Sequence, residues 1–196
     1  MAAGEGTRLR PLTERWPKPV LPIDGKPVVV SLVHALAAAG CERIVVVTGH
    51  LAEQVEALLE PLPYDLRFVR QPPGQGSADA VLRAHATPPY VVVAADNLFA
   101  NGDLARFVAA GAAADGAVAM HGEDRPPLWL VGKRVHQFLD PLPGKAPHEL
   151  QHVFQKAVDS GAQVSAIQVG PTRDLTDVFD LARQNFPYLL GQHESA

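Results

Sequence analysis

The sequence predicts an α/β fold with a mainly parallel (mixed) sheet and helices on both faces. Short apolar runs, rich in valine, alternate with stretches of helical periodicity along most of the 196 residues. The apolar runs are nearly continuous, which is typical of strands buried on both sides. Turns rich in glycine and proline separate the segments, so strand and helix follow one another as in a parallel sheet with helical crossovers.

The individual elements follow from these patterns in chain order. Helices are predicted where apolar residues recur with a period near 3.6, at 27–39, 51–59, 77–86, 103–110, 148–159 and 176–186. Strands are predicted over the short apolar runs 44–47, 66–69, 90–95, 117–120, 128–131 and 164–169. Proline in the first turn and glycine after the last favour the bounds of the helix at 27–39, and Ser77 is the expected N-cap of the third helix.

The composition describes an ordinary globular protein. A chain of 20.9 kDa with 47% hydrophobic and 19% charged residues suits one domain with a substantial core. A net charge of −4 argues against a nucleic-acid-binding surface, and no apolar run has the ~20 residues of a membrane span. The single cysteine, Cys41, excludes an internal disulfide. We expect a cytoplasmic protein without nucleic-acid or membrane partners, and the oligomeric state stays open.

The first 26 residues concentrate the positive charge. Gly4 and Gly6 lie in a run of small residues, and cationic side chains follow at Arg8, Arg10, Arg15 and Lys18. Glycines let the backbone approach a ligand and aim its N–H groups at an anion. Basic side chains add formal charge where a polyphosphate would bind. The sequence therefore predicts a phosphate-binding loop, against the alternative of a basic surface turn.

A carboxylate follows the most apolar predicted strand. Asp96 comes directly after Val91–Ala95 and before Asn97. At the carboxyl end of a strand such a side chain can hold Mg²⁺ against phosphate oxygens. An Asp-Asn turn is the other interpretation.

The N-terminal run resembles the signature of the sugar-1-phosphate nucleotidyltransferases. The matching segments are Ala2-Ala3-Gly4-Glu5-Gly6-Thr7-Arg8-Leu9, Pro17-Lys18-Pro19 and Gly25-Lys26-Pro27. The resemblance implies one domain over residues 1–196 with the Rossmann-like nucleotide-diphospho-sugar transferase fold. It also implies an enzyme that transfers a nucleotidyl group from UTP or dTTP to a sugar 1-phosphate, with Mg²⁺ as cofactor and pyrophosphate as product.

The resemblance assigns roles to individual residues. Arg8 would stabilise the leaving pyrophosphate, Lys18 would contact the reacting phosphates, and Asp96 and Asp174 would hold Mg²⁺. Asp174 comes from the alignment of residues 173–181 with the second metal segment of the family, against the alternative that this segment only caps a helix. The nucleotide-binding loop would comprise Ala2, Ala3, Gly4, Gly6 and Thr7.

Base recognition would fall to Gln71, which precedes the segment Pro-Pro-Gly-Gln-Gly-Ser. A glutamine amide can donate to a pyrimidine carbonyl and accept from N3–H. The backbone of Gly76 would lie against the base, where a side chain would collide. The simpler alternative is a loop that leads into an amphipathic helix.

Two departures from the family pattern bear on activity. The family loop follows an apolar central strand, whereas only Met1 precedes it here, so we expect the first strand to be missing and its neighbours to lack a partner. The sugar-binding insert is shortened to residues 121–127, where Asp124 and Arg125 would be its remnant or a plain charged turn. The alternative function is therefore a catalytically impaired paralogue that binds nucleotides or sugar nucleotides.

A competing motif lies further along the chain. Residues 148–152 read His-Glu-Leu-Gln-His, the zinc-protease pattern in which two histidines on one helical face bind the metal. His148 and His152 would be the zinc ligands of this remote alternative. Pro147 places them in the first turn of the predicted helix, which favours exposed polar residues instead.

Overall fold

The computed structural model describes residues 1–186. Seven α-helices are found there: α1 Val28–Ala38, α2 Ala52–Leu59, α3 Ser77–Ala84, α4 Asp103–Gly111, α5 Lys133–His136, α6 Leu150–Asp159 and α7 Val178–Asn185. Ten strands are found in the same range: β1 Pro22–Ile23, β2 Lys26–Pro27, β3 Arg43–Thr48, β4 Asp65–Arg70, β5 Tyr90–Val93, β6 Asn97–Leu98, β7 Gly116–Met120, β8 Leu128–Val131, β9 Val164–Gln168 and β10 Arg173–Asp174.

The strands form two main blocks and two short ribbons. β3 and β4 pair in parallel. The second block has the order β5-β8-β7-β9, in which β8 is antiparallel to both neighbours and β7 is parallel to β9. β1 with β2 and β6 with β10 make antiparallel ribbons of two residues each. The predicted α/β class with a mixed sheet is confirmed.

Helices cover both faces of the sheet. Successive residues of a strand point to opposite faces, and apolar side chains on both faces have to be buried. On β5, Val93 packs with α1, α2 and α4, whereas Val92 packs with α3, α5 and α6. Phe107 of α4 is fully buried on the first side, and Leu150 of α6 is fully buried on the second. Each side chain of this size contributes about 1.5–3 kcal/mol on burial, so the two cores hold the sheet between two helical layers.

Residues Met1 and Ala2 lie between the two blocks. Ala2 forms a parallel bridge with Thr48. The ammonium of Met1 donates to the Val93 carbonyl at 2.8 Å, and its carbonyl accepts from the N–H of Ala95 at 2.8 Å. The burial of this ammonium lowers its pKa from 8.0 to about 6.

An apolar groove of about 410 Å³ lies between the facing edges of β3 and β5, on the side of Met1 away from Ala2. Side chains of α1 and α3, including Leu36 and Val81, close its walls. Within residues 1–186 no other strand pairs with these two edges. We name this cavity the strand groove.

The short elements were not predicted. These are the two ribbons, α5 and three 3₁₀ helices, Thr7–Leu9, Leu12–Glu14 and Lys18–Val20, all of four residues or fewer. The helix expected from residue 148 begins two residues later, and Ser77 is the first residue of α3, after Gly76 at the N-cap position. None of the helices in the described range is both long and apolar enough to cross a bilayer.

Candidate active site

A polar cavity of about 430 Å³ lies beside Ala2, on the side opposite the strand groove. It gathers residues from five segments: the N-terminal loop, the turn that carries Lys18 and Pro19, the loop before α3, the turn after β5 and the turn after β10. The sequence-predicted residues that line it are Ala2, Ala3, Gly4, Gly6, Thr7, Arg8, Lys18, Gln71, Gly76 and Asp96. Asp174 does not line this cavity, although Leu175 and Thr176 do.

The N-terminal loop is held in a fixed shape by contacts from elsewhere in the chain. Gly6 has a φ of +62°, and a Cβ there would lie 3.0 Å from the methyl group of Thr13. The Thr13 hydroxyl donates to the Gly6 carbonyl at 2.9 Å, and its own carbonyl lies 2.6 Å from Nε2 of His50. Thr13 is buried, so a residue of the protein interior fixes the conformation of the loop at Gly6.

Arg8 is the exposed cation of this loop. Among residues 1–186 its side chain makes no hydrogen bond or ion pair, whereas Arg10 pairs with Glu5 at 3.2 Å. Within the same part of the chain, nothing accepts from the N–H of Gly4. The cavity therefore has a cationic side chain and a backbone donor available to an anion.

Lys18 and Asp96 meet across the cavity. Nζ of Lys18 lies 2.5 Å from Oδ2 of Asp96, and the Asn97 side chain donates to Oδ1 at 3.0 Å. Burial opposes ionisation of Asp96, but the charge and hydrogen bond of Lys18, with the Asn97 amide, hold the pKa of this carboxyl below its ordinary value. Asp96 is thus an ionised carboxylate at the edge of the sheet.

The second predicted carboxylate, Asp174, lies on the ribbon that begins directly after Asp96. In the antiparallel pairing of β6 with β10, Asp174 lies opposite Asn97, the neighbour of Asp96. Its Oδ2 accepts from the hydroxyl of Thr176 at 3.2 Å. Helix capping, the alternative for this segment, is performed by Asp177, which accepts from two N–H groups of α7.

Gln71 lines the cavity, but its amide nitrogen already has hydrogen-bond acceptors within the protein. Its Nε2 donates to the Gly76 carbonyl at 2.7 Å and to Oδ2 of Asp79 at 2.9 Å. Both N–H groups of the amide are therefore used within the protein, and in this conformation none is left for the predicted donation to a pyrimidine carbonyl. Oε1 remains as an acceptor.

Gly76 has a structural requirement of its own, apart from the predicted contact with the base. A Cβ at this residue would lie 2.4 Å from the carbonyl oxygen of His148, and its φ is +87°. Glycine is required because the backbone of the next segment packs against it.

The segment before α6 clasps the loop before α3. The N–H of His148 donates to the Gln75 carbonyl at 2.8 Å, and its carbonyl accepts from the N–H of Ala78 at 2.7 Å. The Ser77 hydroxyl donates to Oε2 of Glu149 at 2.6 Å and accepts from the N–H of Leu150 at 2.8 Å. These four bonds, which we name the clasp, fix one wall of the cavity.

The zinc alternative does not fit this geometry. α6 begins at Leu150, so His148 precedes the helix and does not share a helical face with His152. Nδ1 of His148 lies 3.2 Å from the Pro143 carbonyl. Within residues 1–186 no three histidine, cysteine, aspartate or glutamate side chains group around a metal position. Within this motif the backbone of His148 and the side chain of Glu149 form bonds of the clasp instead.

The sugar-binding remnant is not brought to the cavity. Asp124 pairs with His121 in a tight turn through backbone hydrogen bonds of 2.9 and 3.0 Å. Asp124 and Arg125 are both exposed and neither lines the cavity. The alternative interpretation, a charged turn, describes them.

Three residues near the cavity were missed from the sequence. Thr13 and His50 hold the N-terminal loop, and Asp79 holds the amide of Gln71. Only Asp79 had a local signal, an Asp-to-Arg spacing of four residues with Arg83 on one helix.

The fold and the cavity define an α/β protein whose glycine-rich cationic loop and strand-end carboxylate face one ligand-sized space. Residues 1–162 match the family model of the MobA-like NTP transferase domain. The chain belongs to this family.

Curated relatives match shorter stretches. An N-acetylmuramate α-1-phosphate uridylyltransferase of Neisseria meningitidis is 34% identical over 143 residues, 69% of this chain and 59% of that protein. A UTP–glucose-1-phosphate uridylyltransferase of Haloferax volcanii is 34% identical over 103 residues, 50% of this chain and 42% of that protein. A 2-aminoethylphosphonate cytidylyltransferase of Lancefieldella rimae is 49% identical over 63 residues, 32% of this chain and 26% of that protein. The matched part of this chain thus covers less than two thirds of each of these relatives.

Solved structures share the fold over most of their length. A UDP-glucose pyrophosphorylase complexed with UDP-glucose superposes with a TM-score of 0.79 at 19% identity, covering 97% of both chains. An inositol-1-phosphate CTP transferase of T. maritima gives a TM-score of 0.75 at 20% identity, covering 91% of this chain and 88% of that one. The predicted nucleotide-diphospho-sugar transferase fold is confirmed.

Proposed function

We propose that this chain transfers a nucleotidyl group from UTP or dTTP to a sugar 1-phosphate. A phosphate oxygen of the sugar phosphate forms a bond to the α-phosphorus, and the bond from the α-phosphorus to the bridging oxygen breaks. The electron pair of that bond leaves with pyrophosphate. The observation that carries the proposal is the convergence of Arg8, Lys18, Gln71 and Asp96 on one cavity.

Phosphate handling rests on the N-terminal loop. Two polyanions must be brought together and aligned, and charge grows on the leaving pyrophosphate. Arg8 has no partner of its own within residues 1–186, so its guanidinium can turn to that charge without breaking a bond. The fixed φ of Gly6 and the contact from Thr13 keep the loop backbone in place while the ligand binds.

The carboxylates fit Mg²⁺, which accepts one or two carboxylates and completes its shell with phosphate oxygens and water. Asp96 and Asp174 would hold the ion, since Asp96 directly precedes β6 and Asp174 lies on β10 opposite Asn97. Bound there, the ion would neutralise phosphate charge. Lys18, which pairs with Asp96 at 2.5 Å, would then be free to contact the reacting phosphates.

Recognition of the base rests on Oε1 of Gln71. Uracil and thymine carry a donor at N3, which this acceptor can bind. The curated relatives include uridylyl and cytidylyl transferases by name, so CTP is the competitor that an experiment must include.

The test is a pyrophosphate-release screen. UTP, dTTP, CTP, GTP and ATP are each combined with a panel of sugar 1-phosphates, with Mg²⁺ and with EDTA. We expect release with UTP or dTTP and at least one sugar phosphate, and none with EDTA. Asp96→Asn should abolish this turnover, and Asp65→Asn, at an exposed ion pair outside the cavity, should keep it. Nucleotide binding without release across the whole panel would instead identify a binding paralogue.

A further inference from the structure

The amide of Gln71 has one orientation imposed by its neighbours. The two groups nearest its nitrogen are the Gly76 carbonyl at 2.7 Å and Oδ2 of Asp79 at 2.9 Å. Both are acceptors, so the NH₂ group and not the carbonyl oxygen must face them. A flipped amide would place Oε1 against two oxygens and lose both hydrogen bonds.

Asp79 is itself held in place. It lies in the first turn of α3 with 8% exposure, and Nε of Arg83, one turn further on, donates to its Oδ2 at 2.6 Å. Burial opposes ionisation, but the hydrogen bonds of Arg83 and Gln71 keep the pKa of Asp79 below its ordinary value. The group is thus a carboxylate that can only accept.

We propose that Asp79, fixed by Arg83, is a positioning residue that makes Gln71 an acceptor-only reader of the nucleotide base. The inference rests on the proposed function, because it assigns the base to the cavity that Gln71 lines. Asp79 does not line the cavity and acts through Gln71.

An acceptor-only reader discriminates between pyrimidines. Uracil and thymine present N3–H, which Oε1 accepts. Cytosine presents an unprotonated N3 at neutral pH, so two lone pairs would face each other there. A glutamine free to flip could satisfy either base by turning its amide. The restraint on Gln71 therefore converts an adaptable side chain into a selective one.

The experiment measures nucleotide binding by isothermal titration calorimetry rather than turnover. The probes are UTP, N3-methyl-UTP and CTP with the wild-type protein, Asp79→Asn and Gln71→Leu. We expect the wild type to bind UTP about tenfold or more tightly than the other two, the difference of about one hydrogen bond. In Asp79→Asn the new amide can turn either its oxygen or its N–H to Gln71, so only the Gly76 carbonyl still requires the original orientation, and the preference for UTP over CTP should fall severalfold.

The controls separate positioning from folding. Glu53→Gln makes the same carboxylate-to-amide change at an exposed ion pair with Arg70, and its UTP preference should equal that of the wild type. Gln71→Leu should bind UTP and N3-methyl-UTP equally. An unchanged UTP-to-CTP ratio in Asp79→Asn, or an equal loss for both nucleotides, would overturn the inference. A wild type that binds no nucleotide would overturn the proposed function. A wild type that binds UTP without releasing pyrophosphate would overturn only the transfer reaction, and a lower UTP preference in Asp79→Asn would then still support the role of Asp79.

Discussion

The two cavities on either side of Met1 and Ala2 are built differently. The polar cavity is walled by loops whose shape depends on side-chain hydrogen bonds, within one segment for Thr13 with Gly6 and between distant segments for Ser77 with Glu149. The strand groove is walled by apolar side chains and by strand edges that lack a partner strand within residues 1–186. Loops held by specific polar contacts suit ligand chemistry, whereas open edges and apolar walls suit chain packing. Changes to the first cavity should therefore alter turnover, and changes to the groove should alter stability.

Among the arginines of the N-terminal loop, the largest effect is expected at Arg8. Arg8→Ala should lower kcat by roughly 10²-fold, with a smaller change in KM, because the guanidinium acts on charge that grows as pyrophosphate leaves. Steady-state kinetics with saturating sugar phosphate measures both constants. Arg10→Ala removes a neighbouring arginine that is paired with Glu5 and should stay near the wild type. A pure KM effect at Arg8 would limit its role to ground-state binding.

A smaller effect is expected at the clasp. Glu149→Ala removes the acceptor of the Ser77 hydroxyl and loosens the loop that carries Gly76, so KM for the nucleotide should rise about tenfold while kcat changes little. Glu123→Ala, at the exposed turn, is the matched control. Equal kinetics in the two variants would show that the clasp does not shape the nucleotide site.

On the groove side, an added strand should raise stability. In the register set by Ala2 with Thr48, about four residues placed before Met1 would lie between β3 and β5. A four-residue valine-rich extension should raise Tm by roughly 5–10 °C, through ladder hydrogen bonds and apolar burial. A Gly-Ser extension of equal length should give a much smaller rise. The same Tm for both extensions would contradict a strand-accepting groove.

The buried ammonium of Met1 gives a pH-dependent effect of smaller size. Its pKa is lowered to about 6 in the folded protein from 8.0. The unfolded chain therefore binds more protons between these values, and the free energy of unfolding should rise as pH goes from 6 to 8. We expect Tm of the original chain to gain about 3 °C or more over this interval relative to the Gly-Ser extension. Parallel pH profiles of the two proteins would show that this amine does not titrate on unfolding.

Local patterns were enough to predict the main elements of the fold. The valine-rich runs of β3 and β5 and the apolar stripe of α6 can be recognised from the local sequence alone, without knowing which segment each one packs against. β1 and β2 were missed because two residues each are too few for a recognisable pattern, and the β6–β10 ribbon was missed because it is held by pairing between distant segments, as Asp174 opposite Asn97 shows. The start of α6 was misplaced for the same reason, since the backbone of His148 bonds to the loop before α3.

The candidate site divides in the same way. The N-terminal loop, Lys18 and Asp96 belong to sequence patterns specific enough to predict a shared site, and these residues line one cavity. The amide orientation of Gln71 depends on Asp79, and the need for glycine at position 76 depends on His148. Such contacts join residues whose spacing in sequence carries no signal. The turn at Asp124 shows the converse, since residue order alone suggested a role that its exposed position does not support.

The most direct test follows labelled phosphorus from donor to product. Wild-type protein, Lys18→Ala and Lys26→Ala are each incubated with α-³²P-labelled UTP, Mg²⁺ and the sugar 1-phosphate found in the screen. Lys18 lines the polar cavity, and Lys26 is exposed on β2 outside it. We predict label in the nucleotide sugar with the wild type and Lys26→Ala, and a rate lower by roughly 10²-fold or more with Lys18→Ala. Label that stays in the triphosphate with the wild type, or an undiminished rate in Lys18→Ala, would contradict nucleotidyl transfer at this cavity.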